Sequence, residues 1–137
     1  MTRGELQQPA RMRLREAAVL LRARQYSGAY YLCGYAVECA LKACIAKRTR
    51  RYEFPDKPTA DRAWTHDPER LLRAAGLEDL LKEAMIADED LEWSWTIVKD
   101  WNEASRYERH TAQRAQNLYR AVSDNRAGVL PWLQQHW

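Results

Sequence analysis

Arg106 and His110 have three residues between them in Arg106-Tyr107-Glu108-Arg109-His110. On a helix the two would share one face, where a guanidinium can hold a phosphate while an imidazole moves a proton. The segment Arg62-Ala63-Trp64-Thr65-His66 repeats that gap. In a chain this rich in arginine such a coincidence arises by chance, and His66, directly before Asp67, reads as a residue that orders a loop. A second constellation is Glu38 with Lys42, inside the apolar run AYYLCGYAVECALKA. As an exposed i to i+4 ion pair it would contribute only ~0.3 kcal/mol. Buried, the carboxylate needs further cations or donors, and Arg106 is the expected third partner. The third constellation is Lys47, Arg48, Arg50 and Arg51 beside Tyr52. These cations either grip phosphates while the ring stacks on a base, or complement the dipole at a helix C-terminus.

The elements that must position these groups are helical. Leu14, Ala17, Ala18 and Leu21 recur at helical spacing over about residues 10–25, with arginines on the polar sides. Ser27 is expected to cap a second helix, apolar on nearly every face up to Lys47, in which Gly34 would admit a close neighbour. Residues 48–63, with Pro55 and Pro58, read as a loop. Asp67-Pro68 restarts a helix and Gly76 stops it. A short amphipathic piece follows from Leu77 to Met85, and Asp88 opens another through Leu91, Trp95, Val98 and Trp101. Between residues 78 and 92 there are seven acids against Lys82 alone, a face that should repel phosphate. An irregular stretch at 102–105 precedes a helix carrying Ala112, Ala115, Leu118 and Val122, and Pro131 lies in the first turn of a last short one.

The 137 residues, 46% hydrophobic and 30% charged with five Gly and five Pro, describe one folded, helix-rich domain over 1–137. A formal net charge of +3 is too small to mark a nucleic-acid binder by itself. Cys33, Cys39 and Cys44 have no zinc or redox spacing and read as small core residues. No metal and no cofactor is expected. The N-terminal sequence has no apolar signal segment, so a reducing, cytoplasmic setting is expected. The charge pair and glycines of the 26–46 run argue against a membrane span. Six tryptophans exceed the needs of one small core, which points to a homodimer.

Three blocks together, Tyr31 to Ala43, Thr65-His66-Asp67 with Leu71-Leu72, and Ser105-Arg106-Tyr107, resemble the HEPN family (higher eukaryotes and prokaryotes nucleotide-binding) over most of the chain. The resemblance implies an all-α, up-and-down helical bundle with additional short helices, commonly a homodimer with a polar cleft near the dimer interface. Many relatives are RNA-cleaving toxins or defence nucleases, often encoded beside a minimal nucleotidyltransferase that serves as antitoxin; others bind nucleotides or scaffold. In ribonuclease members an Arg and a His, with four to six residues between them, converge on the scissile phosphate. The corresponding residues here are Arg106 and His110, with three between them. In the mechanism so implied, His110 assists attack of a ribose 2′-OH on the adjacent phosphate without a metal, and Arg106 and Arg109 stabilise the developing charge. Lys47, Arg48, Arg50 and Arg51 would contact RNA, and Glu38 with Lys42 would be a structural pair. The other reading is a non-catalytic module that partners a separate nucleotidyltransferase.

Overall fold

The computed structural model describes residues 2–51 and 65–137. Among these residues every regular element is helical. Helix α1, Arg3–Arg22, opens on a reciprocal cap in which the Thr2 side chain accepts from the Glu5 amide and the Glu5 side chain accepts from the Thr2 amide. It starts about two turns earlier than its apolar periodicity suggests and runs through Pro9. Helix α2, Tyr26–Arg51, is the central element. It extends four residues beyond Lys47, so the expected loop contributes its first residues to this helix, while residues 52–64 lie outside those described. Ser27 does not cap it: its hydroxyl accepts from the backbone amide of His110, 83 residues away.

Helix α3, Pro68–Ala74, begins on Asp67, whose side chain accepts from the Glu69 amide. It ends where Gly76 takes a φ of +72° and lets Leu77 donate back to the Leu72 carbonyl. Helices α4, Glu78–Ala87, and α5, Glu89–Lys99, are joined at Asp88, whose carboxylate caps α5 through the Asp90 and Leu91 amides. A 3-10 turn spans Glu103–Tyr107. Helix α6, Ala112–Ser123, is capped by Thr111, and α7, Val129–Gln134, closes the described order.

The hydrophobic core forms around α2, which packs along α1 and also meets α3, α6, α7 and the 3-10 turn. Ala36, Val37, Ala40, Leu41 and Ala43 of α2 are buried with Leu118, Val122, Leu133 and Trp101. The small residues on α2 let its neighbours approach closely enough to exclude water on several sides at once. No helix among the described residues is long and apolar enough to cross a membrane.

All three cysteines are buried, reduced and unpaired. Burial pushes the Cys33 and Cys44 thiols up to about 12 and Cys39 up to about 11. Native protein at pH 8 is therefore expected to resist iodoacetamide, and to take up three equivalents once denatured. A thiol that reacts rapidly in the folded state would contradict this packing.

Candidate functional site

One stripe of α2 lies at the edge of the core. Tyr31, Tyr35, Glu38 and Lys42 follow one another at intervals of four, three and four, so they line one face of the helix. Next to this stripe lies Trp101, which is 2% exposed and sits directly over Gly34: a methyl group there would meet the indole at 2.2 Å. The Trp101 and Tyr31 ring centroids are 6.0 Å apart, as are those of Tyr31 and Tyr35. The chain leaves Trp101 as the 3-10 turn, which lays Glu103 and Arg106 beside the aromatic stripe.

Glu38 has only 4% of its side chain exposed. Its Oε2 is 3.8 Å from Lys42 Nζ, and its Oε1 accepts from Nδ1–H of His66 at 2.5 Å. His66 arrives on the segment before α3. Its second nitrogen, Nε2, lies 3.0 Å from Oε2 of Glu103. A buried carboxylate, an imidazole and a half-exposed carboxylate thus form a chain from the core to the surface. This corrects one expectation: the third partner of Glu38 is His66, while Arg106 is engaged elsewhere.

The Arg106 guanidinium donates through Nη2 to the Tyr107 hydroxyl at 2.6 Å and lies 4.8 Å from the centre of that ring. The Tyr107 phenol, with Tyr31 behind it, holds Arg106 still more firmly in its charged form. Tyr107 is 77% exposed, and Arg109 also faces solvent. Glu103 and Arg106 are three apart on a 3-10 turn, where such positions eclipse at ~2 Å rise per residue, so they stand ~6 Å apart along one edge.

His110 is on the other side of this chain segment. The 3-10 turn ends at Tyr107 and Glu108 is already extended, so Arg106 and His110 do not share a helical face. The His110 side chain is 1% exposed. Its ring stacks on Tyr30 with centroids 3.8 Å apart, and Nε2–H donates to the Ser105 carbonyl at 3.2 Å. Arg114 adds a hydrogen bond to the Tyr30 hydroxyl at 3.3 Å. The structure therefore separates the two residues that the spacing had joined, because Thr111 starts α6 only after the residues between them have passed as extended chain.

Lys47 and Arg48 line a separate cleft of about 370 Å³ with Cys44, Gly76 and His136. Arg48 Nη1 donates to the Ala74 carbonyl at 3.3 Å, satisfying the open C-terminal end of α3. Burial and the nearby Lys47 ammonium push His136 down from its ordinary value. Arg50 and Arg51 close α2, but their side chains lie outside the described residues. Among the described residues no group of three His, Cys, Asp or Glu side chains is arranged to hold a metal ion.

The HEPN domain family model matches residues 5–127. The chain belongs to the HEPN family. The matched span takes in the α2 stripe, Glu38, His66, Glu103, Arg106 and Tyr107, and stops before α7 and His136. Comparison with curated proteins and with solved structures gives no match. Membership supports a nucleotide- or RNA-related function in general, and HEPN domains often dimerise. Reading the sequence missed the polar chain that the HEPN core builds, His66 and Glu103 on Glu38. The apolar setting of Glu38 and the Thr-His-Asp block signalled both ends of it, but no local pattern shows that the segment before α3 returns to the middle of α2.

Proposed function

We propose that this HEPN protein, acting as a cytoplasmic homodimer, binds a nucleotide or a single RNA strand along the edge formed by Arg106, Tyr107 and Arg109. The observation that carries this reading is the contrast within one short segment: Arg106, Tyr107 and Arg109 stand outside the fold while His110 is packed inside it. An exposed tyrosine offers a base a stacking surface, and a guanidinium already oriented by the same phenol offers two donors to a phosphate. Cleavage by Arg106 and His110 would require His110 to leave both Tyr30 and the Ser105 carbonyl, so the geometry favours binding over that reaction. The acidic α4–α5 face repels phosphate, which favours a site away from it.

Fluorescence anisotropy with single-stranded RNA tests the reading. Binding is expected to weaken steeply with salt as condensed counterions cease to be a source of free energy. Arg106→Ala is expected to weaken it about tenfold, the loss of one charge-assisted phosphate contact. An unchanged affinity in Arg106→Ala would remove this edge from consideration. RNA incubated in EDTA is expected to stay intact; cleavage lost in both Arg106→Ala and His110→Ala would instead establish a metal-independent ribonuclease of the toxin or defence type.

A specific observation favours the partner-module reading as well. Ile86 is 86% exposed on the acidic α4–α5 pair, where Leu80 of α4 and Trp93 of α5 are also exposed. Apolar anchors within a charged rim suit a protein partner such as a separate minimal nucleotidyltransferase. Ile86→Glu would abolish co-purification with that enzyme and leave RNA affinity unchanged.

A further inference from the structure

The His66 and Glu103 contact has a feature that a purely structural pair would not need. Glu38 holds Nδ1 from below and is nearly fully buried, so the ring orientation is fixed by the core. The partner on Nε2 is different in kind: Glu103 is half-exposed and projects from a short 3-10 turn. Both residues line a surface cleft of about 600 Å³ with Lys99, Asn102 and Trp101. A carboxylate and a phosphate present similar oxygens to a nitrogen donor. Arg106 stands one 3-10 turn further along the same edge.

We infer that the Glu103 carboxylate is an internal stand-in for a phosphate, and that His66, oriented by Glu38, is a second phosphate-binding group of the site, released when the ligand displaces Glu103. This rests on the proposed binding edge at Arg106 and Tyr107 and adds to it both a contact and a built-in competitor. The direction of entry follows from charge. Asp67, Glu69 and Asp100 sit in the same cleft against Lys99, whereas Arg106 lies one 3-10 turn beyond Glu103, so a phosphate reaches His66 from the Arg106 side. Asp67 is occupied in capping α3 and does not compete for the imidazole. The group recognised is a phosphate oxygen, offered by the diester of an RNA strand or by the monoester of a mononucleotide.

The test measures affinity for a short fluorescein-labelled single-stranded RNA, with AMP as competitor, for wild type, Glu103→Gln, His66→Asn and the double variant. Glu103→Gln keeps the side-chain length and removes the competing charge, so binding is expected to tighten roughly fivefold, the effect of one like charge near a phosphate at a partly exposed site. His66→Asn is expected to weaken binding and to cancel that gain in the double variant. A contact that only braces the fold would give the opposite sign, with Glu103→Gln neutral or weaker. If His66→Asn does not fold, His66→Gln takes its place, and loss of the Glu103→Gln gain in the double variant remains the deciding outcome. Competition by AMP assigns the subsite to a monoester, and its absence to the diester. Affinity lost in Arg106→Ala but indifferent to Glu103 and His66 overturns this inference and leaves the binding edge standing, whereas RNA bound by neither wild type nor Glu103→Gln overturns both.

Discussion

Gly34→Ala is expected to destabilise the protein by about 2 kcal/mol, although replacing a glycine in the middle of a helix normally stabilises it by about 1 kcal/mol. The opposing term is steric. The added methyl would meet the Cδ2, Cε2 and Nε1 atoms of Trp101 at 2.2 Å, and the ring has little room to retreat because it is itself buried. Overpacking of this kind costs about 1–3 kcal/mol, and driving the indole out would forfeit the ~3–5 kcal/mol that a buried tryptophan contributes. Overpacking exceeds propensity, so the melting temperature is expected to fall by roughly 5–10 °C. The argument has a sharp check. In a Trp101→Ala background the clash is gone and only propensity remains, so Gly34→Ala should reverse sign and stabilise by about 1 kcal/mol. Urea denaturation of the four proteins measures both numbers. Stabilisation by Gly34→Ala in the presence of Trp101 would mean that the ring does not lie on α2. Because Trp101 also anchors the turn carrying Glu103 and Arg106, the single variant should lose RNA affinity that the core substitution Leu118→Ala leaves intact.

That close approach was readable in outline, since a glycine in the middle of an apolar helix signals a neighbour; which residue fills the space was not. The same division runs through the chain. Asp67-Pro68 and Gly76 bracket α3 because capping and positive φ are local chemistry, written in the residues themselves. The start of α1 was missed because the reciprocal Thr2 and Glu5 cap lies upstream of the apolar period. At the site, Glu38 and Lys42 were legible from their spacing. His66 was legible only as the residue before a cap, because its contact depends on a return path through 28 residues of chain. The Arg106 and His110 spacing misled for a physical reason. It presupposes a helix, but the helix that follows begins at Thr111, and the extended residues before it turn His110 inward onto Tyr30.

Glu38→Gln is expected to lower stability by about 1.5 kcal/mol and Glu38→Ala by about 3 kcal/mol, the second including the cavity left behind. Glutamine preserves the shape and one acceptor for His66 Nδ1–H, so part of that hydrogen bond survives. It withdraws the negative charge, and its amide nitrogen would face either His66 or the Lys42 ammonium, donor against donor. Breaking a fully buried ion pair costs about 3–5 kcal/mol, but here the partners can rehydrate, since Lys42 keeps 25% and His66 43% of the side chain exposed. The cost therefore sits below that range. Lys42→Met should cost less again, about 0.5 kcal/mol, because its ammonium is 3.8 Å from the carboxylate while His66 is at 2.5 Å. The order Glu38→Ala, Glu38→Gln, Lys42→Met is the expected result of thermal denaturation. If Lys42→Met proved as damaging as Glu38→Gln, the pair within α2 rather than the bridge to His66 would be what retains a carboxylate in this apolar helix. The bridge makes a second demand that stability alone does not. Glu38 lies beneath the imidazole, so Glu38→Gln should weaken RNA binding through His66 while Lys42→Met leaves it unchanged, which separates a carboxylate kept for positioning from one kept only for folding.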